Sequence, residues 1–400
     1  MATPQNAMAR PDPKGRAMLS DQRVWALLLA ATLTIMSNAT ITPALPGLEA
    51  SFRDTPNAGL LTRLLVTAPS LLVAISAPFV GMASDRYGRR PLLLSGILLY
   101  AVAGTAGAVL PSLEGIFASR LILGIAVALI MTTQAALVGD YFAPPLRGRF
   151  MGWQMGATNL GGFIFIALAG WLAGISPRLP FLIYALGFVY LPFLWRALPE
   201  PEETQSPAGH GVTDGRADWP QFVAVIALLA AGTLTIFYIM PTQIPFYLVS
   251  IGHPEPSASA QAMALVTVAG GLSAISFATV RAKLGAGLTP ALGYLTIAGG
   301  FFALHSGDTM ASVRIGALLI GLGLGYVMPT FLVSALGAAP EHRRGAVSGA
   351  VTMALFLGQF LSPLVVQPLV ELYGYPTTFL IAAILLLPMA ATMAWMLRRR

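Results

Sequence analysis

One short stretch concentrates the charged chemistry of the chain: residues 81–91, with the sequence GMASDRYGRRP, between two apolar runs. Its notable residues are an acid, three arginines and two glycines, namely Gly81, Asp85, Arg86, Gly88, Arg89 and Arg90. A carboxylate beside guanidinium groups can form charge-assisted hydrogen bonds, which are about twice as strong as neutral ones. Charges are costly inside a bilayer. If the flanking runs span a membrane, this stretch is therefore a loop outside the hydrocarbon, and its arginine excess favours the cytoplasmic side.

A second candidate, Arg120, lies inside an apolar run. Because an unpaired charge in hydrocarbon is costly, an arginine there is a functional candidate that either organises a site or attracts an anionic group. The alternative is that its long side chain reaches back to the outer interface.

Polar residues interrupt several apolar runs. Two stripes have members three or four residues apart: Thr34, Asn38 and Thr42, and then Thr235, Tyr238 and Thr242. Single polar residues in other runs join them: Gln134, Asn159, Gln243 and Gln359. Because polar groups avoid lipid, such side chains either bond neighbouring helices or line a cavity. With Arg120 they form our predicted substrate cavity, across which Asn38 and Tyr238 should face each other and suit an amphipathic ligand.

The acids have a different distribution. All sixteen Asp and Glu residues fall at the ends of apolar runs, in the connections or in the tail. If protons drive transport, the carrier is then a peripheral group, and the candidates are Glu49, Asp140, His305 and Asp308.

These residues stand out because the rest of the chain is strongly apolar. Of 400 residues, 56% are hydrophobic and 10% are charged, against about 25% charged in a soluble domain. A helix needs about 20 apolar residues to cross a bilayer, and backbone groups in lipid must be paired within helices. The apolar runs predict twelve spanning helices: 24–46, 59–83, 91–110, 113–140, 149–173, 179–198, 219–248, 257–281, 288–306, 309–338, 345–370 and 373–397.

Composition also excludes several classes. There is no cysteine, so disulfides and cysteine metal sites do not arise. We expect no metal, no cofactor and no catalytic site. The net charge of +7 would suit a nucleic-acid partner, but most positive charges lie in short connections, where they set membrane topology.

The chain divides into two comparable parts. We expect a disordered tail over 1–23, a six-helix bundle over 24–198, a linker over 199–218 and a second six-helix bundle over 219–397. An offset of 197 residues relates Gly88 to Gly285 and Gly148 to Gly345, which indicates a repeat. With both termini cytoplasmic, 18 of the 23 Lys and Arg residues fall on the cytoplasmic side, as the positive-inside rule requires.

The stretch 81–91 resembles the motif G-x-x-x-D-R-x-G-R-R/K, which joins helices 2 and 3 in transporters of the major facilitator superfamily. The resemblance implies an all-α membrane protein with twelve helices in two pseudo-symmetric bundles, both termini cytoplasmic and a substrate site between the bundles. It also implies a conformational latch. In this family pattern Asp85, Arg89 and Asp140 form a charge cluster that meets the start of helix 11, here near Gly345.

Two further motifs are partial matches. Arg120 and Gly124 resemble the family's second motif, in which a polar residue usually stands where this chain has Leu123. Gly148, Gly152 and Gly156 form a small-residue face that permits close helix contact. This face lies where drug antiporters carry a glycine-rich signature, but Ala157 replaces its proline.

The predicted function is proton-coupled efflux of a small amphipathic compound by a monomeric, multi-pass protein of the inner membrane. An importer or uniporter of a small organic anion is the first alternative, favoured by Arg120. A non-transporting membrane receptor or assembly factor is a second alternative, from another class. The expected partners are the substrate, the lipid bilayer and protons as the coupling ion.

Overall fold

The computed structural model describes residues 20–200 and 217–398, and within them the side chains of all residues except Asn38, Ala39, Pro144 and Pro145. The predicted tail up to residue 19 and linker residues 201–216 lie outside the described residues. Secondary structure in the described ranges is helical throughout, with no strand. The prediction of an all-α fold is therefore confirmed.

The first half of the chain forms seven α-helices and two 3-10 helices. In chain order they are α1 (Gln22–Ala39), a 3-10 turn (Thr42–Ala44), α2 (Leu45–Ser51), α3 (Ala58–Tyr87), α4 (Arg89–Ala106), α5 (Leu113–Tyr141), α6 (Pro144–Ile175), a 3-10 helix (Leu179–Ala185) and α7 (Leu186–Ala197). Helix α1 begins inside the predicted tail, because the Asp21 side chain accepts a hydrogen bond from the backbone of Arg23 and caps it.

The second half contains two very long helical runs. Its elements are α8 (Trp219–Phe237), α9 (Ile239–Ser250), α10 (Pro256–Ser306), α11 (Met310–Ala338), a 3-10 turn (Glu341–Arg343) and α12 (Arg344–Arg398). Helices α10 and α12 each consist of two helices joined at a glycine with positive φ, Gly285 (φ 84°) and Gly374 (φ 76°). A residue with a Cβ rarely adopts this conformation.

Nine helical stretches in the described ranges are long and apolar enough to cross a membrane. Two of these nine are the kinked runs α10 and α12. Most predicted span limits lie within a few residues of the observed helix ends. Local capping also fixes some ends: Thr309 and Ser312 form a reciprocal capping box at the start of α11.

The stretch 81–91 is not the loop that the sequence predicted. Helix α3 continues to Tyr87 and α4 begins at Arg89, so Gly88 alone turns the chain, with φ 88°. Gly285 has nearly the same φ, 84°, and it is the residue that the repeat pairs with Gly88. The turn therefore requires glycine at equivalent places in both halves.

The interior contains two hydrophobic cores. One is built almost entirely from residues of α1 to α7, and the other almost entirely from residues of α8 to α12. Between them, α6 packs against α10, and α3 packs against α12. This interface between the halves contains the candidate functional site.

The two ends of the bundle differ in packing. We call the end that carries residues 81–91 the motif end and the opposite end the far end. Near the far end Gly170 of α6 lies so close to Ala260 of α10 that no side chain would fit between them. Nearer the motif end on the same helix, a Cβ on Gly152 or Gly156 would meet no atom within 4 Å. The halves are thus in contact at the far end and apart at the motif end.

Candidate functional site

A cavity of about 300 Å³ lies between the halves. Both halves line it, and its walls are mainly apolar, with side chains such as Ile35, Val73, Met131, Met263 and Phe356. Such a volume and lining are typical of sites for small organic molecules.

Tyr238 gives the cavity its aromatic polar group. Helix α8 ends at Phe237 and α9 begins at Ile239, so Tyr238 sits at the junction and lines the cavity. Its ring packs edge-on against Phe237, with 5.5 Å between ring centroids. Thr34 lines the same cavity from α1, while the Asn38 side chain lies outside the described residues.

The other predicted cavity residues are placed elsewhere. Gln134 donates to the carbonyl of Leu27 at 2.8 Å, and Gln359 is 4% exposed. In the second stripe Thr235 donates to the carbonyl of Gly358 at 2.9 Å, which ties α8 to α12. Gln134 and Thr235 join helices rather than line the cavity, because a buried polar group needs a partner and a nearby carbonyl supplies it. Gln359 does not line the cavity either, and its amide nitrogen has no hydrogen-bond partner among the described atoms.

Asn159 lines a second space, a groove of about 530 Å³ between α6 and α10. Gly152 and Gly156 lie on one wall, and Gly271 lies on the other. Thr267 lines both the groove and the central cavity. The groove therefore extends from the cavity towards the motif end.

Arg120 does not line the cavity. Its side chain is fully buried, so it does not reach any interface. Nε donates to the carbonyl of Leu65 at 3.1 Å, and Nη2 donates to the carbonyl of Ser37 and to the Tyr184 hydroxyl, the latter at 2.9 Å. Nη1 has no hydrogen-bond partner among the described atoms. The guanidinium thus clamps α1, α3 and the 3-10 helix of residues 179–185.

Tyr184 completes this clamp and was not predicted. Its hydroxyl lies 3.1 Å from the carbonyl oxygens of both Met36 and Ser37. The centroid of its ring lies 4.9 Å from the Arg120 guanidinium carbon. The cation is stabilised by carbonyl dipoles and by the face of an aromatic ring, which offset the cost of burying it.

At the motif end the structure brings the predicted charge cluster together. Arg89 forms a close ion pair with Asp140, and its other nitrogen lies 3.9 Å from Asp85. The Asp85 side chain is 75% exposed. A Cβ on Gly81 or on Gly345 would meet no atom within 4 Å, so the cluster and the start of α12 are apart in this conformation.

Glu200, which no sequence motif indicated, holds the start of α4. Its Oε1 accepts hydrogen bonds from the backbone N–H groups of Arg89 at 3.0 Å and Arg90 at 3.5 Å. The Arg90 guanidinium in turn donates to the carbonyl of Trp195 at 2.7 Å. A carboxylate at a helix N-terminus also interacts favourably with the helix dipole. Residues 195–200 therefore anchor the turn at Gly88.

At the far end a chain of polar side chains joins the halves. Glu49 of α2 pairs with Arg63 of α3 at 2.8 Å, and Arg63 Nε donates to Gln243 of α9 at 3.1 Å. Gln243 donates to Gln367 at 3.1 Å, and Gln367 donates to Glu371 at 2.8 Å. We call these five residues the far-end relay.

The four predicted proton carriers are therefore in different settings. Glu49 belongs to the far-end relay, and Asp140 pairs with Arg89 at the motif end. His305 Nδ1 lies 2.9 Å from the carbonyl of Pro376, and Asp308 is exposed. None of the four lines the central cavity.

Comparison with known proteins identifies relatives of this architecture. The sequence profile of the Major Facilitator Superfamily matches residues 27–363. Multidrug resistance protein 1 of Bacillus subtilis (strain 168) is 25% identical over 172 residues, which cover 43% of this chain and 44% of that protein. Tetracycline resistance protein, class C, of Escherichia coli is 26% identical over 374 residues, which cover 87% of this chain and 90% of that protein.

A solved structure shares the fold. The D-xylose-proton symporter superimposes with a TM-score of 0.74 at 16% sequence identity, covering 91% of this chain and 96% of that one. The similarity at this identity concerns the arrangement of helices.

Proposed function

Because this chain belongs to the major facilitator superfamily, whose members are transporters and not enzymes, we propose that it exports a small amphipathic organic compound in exchange for protons. The apolar cavity between the halves, with Tyr238 at its wall, carries this proposal. A mostly apolar site with few polar groups suits a lipophilic molecule with one or two hydrogen-bonding groups. The resistance proteins among the relatives are consistent with this substrate class.

The proposed topology has twelve spans in two six-helix bundles, with the motif end in the cytoplasm of a monomer in the inner membrane. Splitting α10 at Gly285 and α12 at Gly374 and adding α4 to the nine apolar stretches yields this number. The excess of Arg and Lys at the motif end supports the orientation. In that orientation the groove beside Asn159 connects the cavity with the cytoplasmic side.

The alternative of anion transport loses its main support. Arg120 was the reason to consider it, but this guanidinium bonds to backbone carbonyls and to Tyr184, away from the cavity lining. A receptor without transport activity would not need a cavity between two separable halves.

Purified protein in liposomes provides the test, with an imposed pH gradient and a pH-sensitive dye inside. Tetracycline and a lipophilic cationic dye are the probes. We expect each transported probe to dissipate the gradient, and empty liposomes to be the baseline. Transport of a probe at a rate that does not depend on the pH gradient contradicts proton coupling. If neither probe is transported, the proposed substrate class is wrong.

A further inference from the structure

The far-end relay lies at one end of the molecule, and none of its residues lines the central cavity. It begins at Glu49 and Arg63 in the first half and passes through Gln243 to Gln367 and Glu371 in the second half. Each glutamine amide accepts on one side and donates on the other, which makes the relay continuous across the interface. It is a polar connection between the halves at the end where they touch.

The relay depends on Glu49 because Arg63 is buried. The Arg63 side chain is 6% exposed, whereas that of Glu49 is 35% exposed. Glu49 is the acid that forms an ion pair with Arg63 in the described ranges, and the guanidinium carbon lies 3.7 Å from the centre of the Phe246 ring. Removing one partner of a buried pair leaves an uncompensated charge, which strongly destabilises the arrangement that buries it.

Glu49 lines a pocket that is separate from the residues of the central cavity. It lines a pocket of about 550 Å³ at the far end, together with Arg53, Asn57 and Phe246. No residue of that pocket lines the central cavity. A proton in the far-end solvent can therefore reach Glu49, which does not line the central cavity.

The charged and titratable groups around Glu49 come from several elements. Arg63 of α3 contacts it directly and Arg53 lines the same pocket. From α12, Tyr375 lies near both Glu49 and Arg63, and Glu371 is reached through Gln367. Helix α9 contributes the uncharged Gln243 and Phe246. Two cations thus oppose the carboxylate of Glu49.

We propose that Glu49 is a proton-binding site that opens the far-end gate. A proton from the far-end solvent adds to a carboxylate oxygen, the ion pair with Arg63 is lost, and Arg63 remains a buried cation. Exposing the Arg63 guanidinium to water removes the cost of burying an unpaired charge. This exposure requires the halves to separate at the far end, which also breaks the hydrogen bond from Arg63 to Gln243. The proposal rests on the orientation proposed above, in which the far end faces the outside.

The test measures the distance between the halves in the full-length protein in lipid nanodiscs. Because the chain has no cysteine, spin labels can be attached to cysteines introduced as Ser51→Cys in α2 and Leu372→Cys in α12, both at exposed positions. We expect Glu49→Gln to raise the ratio of far-end-open to far-end-closed molecules at least about tenfold at neutral pH. Lowering the pH should raise this ratio in the parent protein and should leave it unchanged in Glu49→Gln.

A matched control separates this effect from general loss of charge. Glu114 is an exposed acid at the far end, in the first turn of α5, and Glu114→Gln should leave the distances and their response to acid unchanged. If Glu49→Gln folds poorly, the double variant Glu49→Gln/Arg63→Met removes the uncompensated charge and should fold without a response to acid. An unchanged distance distribution in Glu49→Gln, or an acid response that persists in either variant, overturns the proposal.

This measurement needs no substrate, so it is independent of the efflux assay. If acid opens the far end but neither probe is transported, the gate proposal is supported and the proposed substrate class is rejected. If the protein exchanges a probe for protons but Glu49→Gln still opens in acid, the proposed function is supported and the gate proposal is rejected.

Discussion

At the scale of single residues, the structure gives the two candidate groups of the sequence different roles. Tyr238 lines the cavity, while Arg120 joins three helices beside it. Sequence patterns selected both, because a polar group in an apolar run is informative whatever it contacts. Sequence patterns do not show which polar group lines the cavity and which joins helices. The partners of Arg120 are mostly backbone carbonyls, and every residue has a backbone carbonyl, so these partners leave no signal in the sequence.

The first prediction concerns Arg120. Arg120→Ala removes the donors to Leu65, Ser37 and Tyr184, and each lost bond to a charged group costs roughly 1.5–3 kcal/mol. We expect lower thermal stability and little transport, with Arg120→Lys in between because lysine keeps the charge but lacks the planar fork. Thermal unfolding and the liposome assay measure the two effects. Full activity and stability in Arg120→Ala would show that the clamp has no role.

The second prediction concerns Tyr238. Tyr238→Ala removes an aromatic face and a hydroxyl from the cavity, and we expect probe binding to weaken about tenfold, which corresponds to about 1.4 kcal/mol. The matched control is Tyr373→Ala, because Tyr373 is 57% exposed on the outer surface. Binding measured by tryptophan fluorescence should change in the first variant only. Equal effects in both variants would mean that the cavity is not the binding site.

At the scale of helices and turns, the apolar runs predicted nearly all of the helices, since length and composition alone decide whether a run can span. The prediction failed at residues 81–91, where charges suggested a loop and one glycine is sufficient for the turn. It also missed Glu200, which lies 111 residues from Arg89 in the sequence. A helix cap supplied from such a distance leaves no local pattern.

The third prediction tests that cap. Glu200→Ala removes the acceptor for two backbone N–H groups of α4, and the loss of a cap costs about 0.5–2 kcal/mol. We expect a lower unfolding temperature and faster amide hydrogen exchange at the start of α4. The control is Glu114→Ala, an exposed acid at the start of another helix. Equal exchange at Arg89 and Arg90 in the parent and in Glu200→Ala would contradict the anchoring role.

At the scale of the whole molecule, the halves are in contact at the far end and apart at the motif end, which corresponds to one of the two conformations of the proposed transport cycle. The charge cluster of Asp85, Arg89 and Asp140 is assembled here without contact with α12. Its proposed role as a latch belongs to the other conformation, in which the motif end is closed. There a carboxylate near Gly345 would meet the positive end of a helix dipole, worth about 0.3–1 kcal/mol.

The fourth prediction follows for Asp85→Asn. Because Asp85 is exposed here and its contact with Arg89 is long, the substitution should not destabilise the present conformation. It should weaken the other one, reduce transport and shift the population towards motif-end-open molecules. Distances between labels on α3 and α12 measure the shift, with Asp214→Asn in the linker as the control. An unchanged distribution in Asp85→Asn rejects the latch.

The unoccupied space around the motif-end glycines has a consequence for mutational scanning. Gly152, Gly156, Gly345 and Gly349 have room for a side chain in this conformation, so larger residues there should leave expression and melting temperature unchanged. If these faces must meet when the motif end closes, the same substitutions arrest the transport cycle. A library scored by protein abundance would then record these four positions as tolerant, and one scored by transport activity would record them as essential. Gly170, which has no such room, should score as intolerant in both.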